Sequence, residues 1–220
     1  MPTVFVLFLL ISSFAGQAAP PAPSAVDLAR DLQRRYDQVR DFSADFEHEY
    51  EGGVLRKTIT EYGRLLVKKP GMMRWTYTSP EKKEFVSDGH RLYSYVPEDR
   101  QVMISNVAPA DDTSSPAMFL AGKGDILRDY TPSLLQMPGL LPGEVALKLV
   151  PKARQRDYDW LVLVLDRATL QIRRLVTTDS QGGTSTFVFT RMKENIRVPD
   201  SAFTFKVPRG VDVITDSVKR

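Results

Sequence analysis

Gly63-Arg-Leu-Leu-Val-Lys-Lys-Pro-Gly-Met-Met-Arg-Trp-Thr-Tyr-Thr-Ser-Pro-Glu-Lys-Lys-Glu-Phe-Val-Ser-Asp-Gly89 decides the fold class of this chain. Two short apolar strands are each ended by a turn. Lys69-Pro70-Gly71 breaks the first, because proline removes a ladder donor and glycine permits a reversal. Met72, Met73, Trp75 and Tyr77 form a bulky unit in the next, and Met73, Trp75 and Tyr77 share one face because strand side chains alternate. Asp88-Gly89 reads as a hairpin turn joining Glu84–Ser87 to Arg91–Val96. Methionine fills irregular space, and tryptophan brings a large apolar face with one polar atom. An ordinary core uses both, and so does a cavity for flexible acyl chains. The residues alone leave that choice open.

Upstream, Ser24 is placed to cap a helix with Asp27 in its first turn. Leu28, Leu32, Tyr36 and Val39 then recur at helical spacing, with Arg30, Arg34 and Asp37 on the opposite face. Strand alternation follows at once through Phe42, Ala44, Phe46, His48 and Tyr50. Gly52-Gly53 turns the chain into a second strand over Leu55 to Val67. Downstream, Pro97-Glu98-Asp99 is a turn before a strand at Gln101–Ser105. A polar stretch from Asn106 to Pro116 leads to Met118-Phe119-Leu120-Ala121, a short apolar helix stopped by Gly122. Asp125–Asp129 reads as a helical turn and Leu134–Leu141 as an apolar loop. Strands resume at Val145–Val150, Leu161–Asp166, Ile172–Thr178, Thr184–Arg191 and Phe203–Val207. The pattern predicts a mostly β chain: a strongly curved antiparallel sheet forming an open, half-closed β-barrel. Its concave apolar face needs a cover. Three are available: the helix of Leu28, Leu32 and Tyr36, the short helix at Met118–Ala121, and the Leu134–Leu141 loop.

The 220 residues are enough for one domain with its own core. There is no cysteine, which excludes disulfides, thiolate chemistry, cysteine metal sites and lipidation on an N-terminal cysteine. Val4 to Ile11 is an unbroken apolar run, too short to span a bilayer and followed by small residues. Residues 1–18 are therefore expected to be a signal peptide cleaved after Ala18, although no lysine or arginine precedes the run, and 19–23 a short linker. Lysine and arginine number 30 against 27 acidic residues, a mixed-charge surface without a basic stripe, so nucleic acid is not expected as a partner.

Sites for chemistry are sparse. His48 and His90 are lone histidines, and in Glu47-His48-Glu49 neighbouring side chains point to opposite faces, so no metal cluster forms there. No Gly-x-Ser-x-Gly elbow occurs, and Gln181-Gly182-Gly183-Thr184 lacks the phosphate-loop lysine. Asp111-Asp112 and Asp157/Asp159 sit in loop-like contexts with no sign of a facing carboxylate pair. No catalytic residue, metal or cofactor is assigned.

The chain also resembles a family. Gly63, Leu65, Val67, Lys68, Lys69, Pro70 and Trp75, then Pro80-Glu81, then Val86-Ser87-Asp88-Gly89 with Leu92, Tyr93 and Tyr95 match the periplasmic outer-membrane lipoprotein carrier family, LolA. Pro116-Ala117-Met118-Phe119-Leu120 and Phe203-Thr204-Phe205-Lys206-Val207-Pro208-Arg209-Gly210-Val211 extend the match in the family's order. The resemblance implies that 24–220 is a single carrier-like β domain, an open barrel under a helical lid. It further implies a periplasmic monomer that takes lipidated lipoproteins from an inner-membrane ABC exporter, shields their acyl chains and passes them to an outer-membrane receptor, without breaking bonds. On that reading Phe46, Met73, Trp75, Tyr77, Phe85, Tyr93, Tyr95, Met118, Phe119 and Leu120 line a hydrophobic cavity, and Leu28, Leu32 and Tyr36 belong to a lid helix. The family commonly has an arginine that holds the lid through backbone carbonyls. Lys69 stands in that segment and is expected to latch the carbonyls of Leu120 and Ala121, with Arg74 the other basic residue nearby. Two other functions compete: a periplasmic carrier or sensor for a different lipid, and a carboxylate-based periplasmic hydrolase. Mass spectrometry of organic extracts separates a binder from an enzyme.

Overall fold

The structure, a computed structural model, describes residues 24–52, 57–107, 116–122, 124–155, 158–179 and 181–215. The expected signal peptide and linker, Asp111-Asp112, Asp157 and the Met118 side chain lie outside the described residues. Along the chain come α1 (Ala25–Asp37), β1 (Asp41–Glu51), β2 (Thr58–Lys68), β3 (Met72–Ser79), β4 (Lys83–Asp88), β5 (Arg91–Val96) and β6 (Gln101–Asn106). Two short helices follow, α2 (Pro116–Leu120) and α3 (Ile126–Asp129). The remaining strands are β7 (Tyr130–Leu135), β8 (Glu144–Pro151), β9 (Trp160–Asp166), β10 (Ile172–Thr178), β11 (Thr184–Glu194) and β12 (Asp212–Thr215).

Among the described residues these strands form one sheet in the order β12-β6-β5-β4-β3-β2-β1-β11-β10-β9-β8-β7. The sheet is curved and open, with β12 and β7 as its two edges. Every pairing is antiparallel except β12 with β6, which is parallel. Strands β1 to β6 and β7 to β11 form two runs of paired chain neighbours, and β1 against β11 joins the runs, with Phe46 opposite Phe189 and His48 opposite Phe187.

The helix α1 starts where its cap predicts. The Ser24 side chain accepts the Asp27 backbone N–H at 3.1 Å. Its buried stripe is Leu28, Ala29, Leu32 and Tyr36, set on the concave side of the sheet. Burying each large side chain there contributes about 1.5–3 kcal/mol. On the sheet, Phe42, Ala44 and Phe46 of β1, Leu65 and Val67 of β2, and Met73, Trp75 and Tyr77 of β3 face the same core. Gly63 is the gap in that surface. A Cβ there would lie 2.5 Å from the Phe46 ring and 2.3 Å from the Thr76 carbonyl, so the Phe46 ring covers the backbone of β2 where a side chain would otherwise stand.

Three features depart from the sequence pattern. The Leu134–Leu141 region divides. Its start completes the edge strand β7, and the turn that follows covers the convex face, where Leu135, Met137 and Leu140 pack on Ala146, Val162, Val164 and Val176. It does not roof the concave side. Strand β9 is thus buried on both faces, with Leu161, Leu163 and Leu165 inward, which is why it reads as an unbroken apolar run. The expected strand at Phe203–Val207 is instead a short 3-10 turn at Asp200–Phe203 followed by irregular chain. There the Arg74 guanidinium takes the carbonyls of Ala202 at 2.7 Å and Thr204 at 2.9 Å, so a side chain supplies what a ladder would have supplied. Last, β12 extends the sheet beyond β6 at a position the pattern does not mark, its residues all exposed.

Candidate functional site

The concave face carries a cleft of about 260 Å³. One wall is Met73, Trp75 and Tyr77 of β3 with Phe85 of β4 and Leu92 of β5. The other is Leu175 and Thr177 of β10 with Ser185 and Phe187 of β11, and Ala117 of α2 roofs it. Strand pairing sets the geometry, since Trp75 lies opposite Phe85 and Thr177 opposite Ser185. The aromatic groups brace one another edge-on. Phe46 meets Trp75 at 5.1 Å and Tyr77 at 4.8 Å between ring centroids, and Trp75 meets Phe187 at 5.2 Å. Such edge-to-face contacts suit the ring quadrupoles.

The roof is fastened through Tyr36. Its hydroxyl donates to the Leu120 carbonyl at 2.5 Å, and its ring stacks on Phe119 at 5.7 Å. Burial pushes the Tyr36 phenol well above its ordinary range, so it stays a protonated donor. Lys69 closes over the same residue: its ammonium sits 3.4 Å from the Tyr36 ring centroid and donates to the Tyr36 backbone carbonyl. That carbonyl belongs to the last turn of α1, where a cation is favoured by the helix dipole. Burial pulls the Lys69 pKa down to about 8, with Asp37 pulling the other way. The Lys69 stem lies against Gly122, where a Cβ would come within 2.4 Å of it. The Gly71 backbone N–H donates to the Ala121 carbonyl at 2.9 Å.

The expected latch is therefore corrected in its partner. Lys69 holds the C-terminal turn of α1, while the carbonyls of Leu120 and Ala121 accept from the Tyr36 hydroxyl and the Gly71 backbone N–H. Arg74 faces outward and binds Glu84 and the 202–204 backbone, so it plays no part in the latch. The hub role of Tyr36 was missed. The helical stripe places it in the core, but nothing in the stripe marks its hydroxyl.

A polar group adjoins the aromatic residues Tyr77 and Phe187. His48 stacks on Phe187 at 4.0 Å and holds Nδ1 3.3 Å from the Glu61 carboxylate. Glu61, itself buried, also pairs with Lys83 at 2.7 Å. The Lys83 ammonium lies 4.4 Å from the Tyr77 ring centroid. Burial lowers the His48 pKa, against the attraction of Glu61. Burial likewise pushes the Tyr77 phenol up.

The expected cavity residues divide. Met73, Trp75, Tyr77 and Phe85 line the cleft, whereas Phe46 does not and instead braces Trp75 and Tyr77 edge-on. Phe119 and Leu120, at the end of α2, are buried, with the Phe119 ring and the Leu120 carbonyl against Tyr36, and Ala117 of the same helix reaches the cleft. Tyr93 and Tyr95 do not belong to it. Phe85 pairs with Ser94 and Ser87 with Leu92, so Leu92 and Ser94 continue the concave face while Tyr93 and Tyr95 point outward. There they pack on Phe205, at 5.3 Å and 5.8 Å. Among residues not singled out, Leu92, Leu175 and Phe187 were findable as inward positions of the strands at Arg91–Val96, Ile172–Thr178 and Thr184–Arg191. Among the described residues no group of histidine, cysteine and carboxylate side chains is placed to hold a metal.

An open antiparallel sheet with a roofed apolar cleft on its concave face defines a hydrophobic-ligand-binding class of protein. The chain belongs to the outer membrane lipoprotein carrier protein LolA family, whose model matches residues 37–206. It is 30% identical to an outer-membrane lipoprotein carrier protein of Chromobacterium violaceum, over 98% of this chain and 99% of that one. It is 31% identical to one from Hahella chejuensis, over 81% and 84%. In fold it is similar to an uncharacterized conserved protein from Thermus thermophilus, with a TM-score of 0.52, 14% identity, and coverage of 85% and 98% of the two chains.

Proposed function

We propose that this chain is a periplasmic carrier that binds the acyl chains of lipidated proteins in its concave cleft and moves them from the inner to the outer membrane. The observation that carries this reading is the cleft itself, lined mostly by apolar and aromatic side chains with Thr177 and Ser185 on one wall, and roofed by a helix fastened through one tyrosine. Its donor would be an inner-membrane ABC exporter and its acceptor an outer-membrane lipoprotein receptor. The step is transfer between binding sites, with no bond made or broken.

The energetics suit such a task. Each acyl methylene buried is worth about 0.8 kcal/mol, so even one chain gives a large driving force. The cleft of about 260 Å³ sits just below the roughly 300–1,000 Å³ of typical ligand sites. Cargo must therefore displace α2, and the return of α2 offsets part of the burial gain when cargo leaves. Carriage without trapping needs that balance.

The test is capture of a lipidated peptide from detergent by the purified mature protein, against the same peptide without its acyl chains. Binding of the lipidated form alone is expected. Trp75→Glu places a charge on the cleft wall and should abolish capture while circular dichroism shows a folded chain. Equal binding of both peptides would overturn the reading. An organic extract holding a free lipid in place of acylated peptide would direct it to a different lipid cargo.

A further inference from the structure

Across β4, β5, β6 and β12 the strand registers line up one row of side chains on the concave face. Phe85 stands opposite Ser94, Ser94 opposite Met103, and Met103 opposite Ile214. Phe85 lines the cleft, so the row starts there and runs out to the sheet edge. Three strand spacings make it about 14 Å long. Burial along these strands is the reverse of what a curved sheet usually shows. On the outer face Val102, opposite Tyr95, is fully buried, and Phe205 packs on Tyr93 and Tyr95. On the inner face Met103 is 49% and Ile214 43% exposed. Two large apolar side chains therefore stand bare on the same surface as the apolar cleft, and contiguous exposed apolar surface marks a place where something binds.

The row is narrow. On β6 the neighbours of Met103 on that face are Gln101 and Ser105, and on β12 the neighbour of Ile214 is Asp212, each about 7 Å away along its strand. An α-helix, about 10–12 Å across, would overlie these polar neighbours. An extended peptide crossing the face would find no ladder partners, because the strand N–H and C=O groups point along the sheet. One linear hydrocarbon fits the width and asks for no hydrogen bonds. We infer that this row is a track for a single acyl chain, whose terminus lies in the cleft and whose head end lies over Met103 and Ile214, so that the attached peptide leaves across the β12 edge. The direction follows from the two ends. Ala117 of α2 roofs the cleft, whereas β12 is exposed throughout and sets Asp212 and Gln101 beside the row, where a polar head meets water and polar side chains. The inference rests on the carrier reading above and deepens it by naming the path and the direction of the ligand.

Two reporters test it in the full mature protein. The chain has no cysteine, so Ile214→Cys labelled with a bimane reports the outer end of the track alone. The chain has two tryptophans, so in unlabelled Trp160→Phe the emission comes from Trp75 in the cleft. The ligands are methyl stearate carrying a nitroxide quencher near the ester and methyl stearate carrying it near the chain terminus. The first should cause the larger loss of bimane emission, and the second the larger loss of Trp75 emission. Quenching of Trp75 by both ligands and of the bimane by neither overturns the track, and the opposite order at the two reporters overturns its direction. A bimane emission that shifts to the blue with protein concentration, without lipid, marks a second copy on the face and also overturns it. Met103→Gln combined with Ile214→Gln should weaken unlabelled methyl stearate about tenfold, or about 1.4 kcal/mol, and leave methyl octanoate unchanged, because the short chain stays in the cleft. An equal change for both esters counts against the track. No uptake of either ester by the unsubstituted protein defeats the carrier reading itself.

Discussion

Replacing Tyr36 by phenylalanine isolates the fastening of the lid. The change deletes one hydroxyl and keeps the ring, so the stack on Phe119 and the contact with the Lys69 ammonium both persist. What goes is the 2.5 Å bond to the Leu120 carbonyl, in a residue that is 1% exposed. A buried acceptor left without its donor costs about 1–3 kcal/mol. That cost falls on the closed form alone, since in the open or unfolded chain water reaches the carbonyl. The open-to-closed ratio should therefore rise about 5–150-fold. Where the closed form dominates, the apparent affinity for a ligand that enters only the open form rises by the same factor. Uptake of a hydrophobic fluorophore, titrated against wild type and Tyr36→Phe, measures it. Urea denaturation on the same samples should show the matching loss of about 1–3 kcal/mol. A loss of stability with unchanged fluorophore affinity would refute the reasoning, because α2 would then be a fixed part of the core and no lid.

Three other outcomes are expected. Lys69 has its pKa pulled below the ordinary 10.5 to about 8. Between those values the unfolded chain holds a proton that the folded chain has released, so stability should rise with pH from about 8 toward 10.5. Urea midpoints of wild type and Lys69→Met across that range should diverge in favour of wild type, and parallel curves would contradict the burial of Lys69. Gly63→Ala drives a methyl into the Thr76 carbonyl and the Phe46 ring, and should cost at least about 1–3 kcal/mol by overpacking, read by thermal unfolding. Phe205→Ala should lower stability by about 1–2 kcal/mol and leave fluorophore affinity unchanged, because Phe205 supports Tyr93 on the outer face. Phe85→Ala should change that affinity, and the same response from both variants would undo the assignment of faces.

The elements with strong periodicity were legible, and the reasons for the misses are specific. The helix of Leu28, Leu32 and Tyr36 and the alternation from Phe42 to Tyr50 each carry one pattern set by one buried face. Met73, Trp75 and Tyr77 could be placed together from spacing alone. Tyr93 and Tyr95 match the family motif, but strand pairing turns them to the outer face. The turn at Asp88–Gly89 sets Ser87 opposite Leu92, and that single register decides which residues face inward. The Phe203–Val207 segment has strand-like alternation, but Arg74 captures its carbonyls and holds it off the sheet as a strap. No local pattern announces a partner 128 residues away. The latch shows the same limit. A basic residue after β2 could be expected to bind a helix carbonyl, but which carbonyl depends on how α1 and α2 pack beside it.

The double burial of β9 gives the two walls of the cleft unequal stiffness. Leu175 and Phe187 stand on strands that continue into β9 and β8, where side chains are interlocked above and below the sheet. Phe85 and Leu92 stand on strands whose side chains are mostly half-exposed. Close-packed layers resist deformation, and sparsely covered ones open locally at lower cost. Expansion to admit a bulky guest is then one-sided. The β10–β11 wall acts as an anvil, and the compliance resides in β4, β5 and the short helix above them.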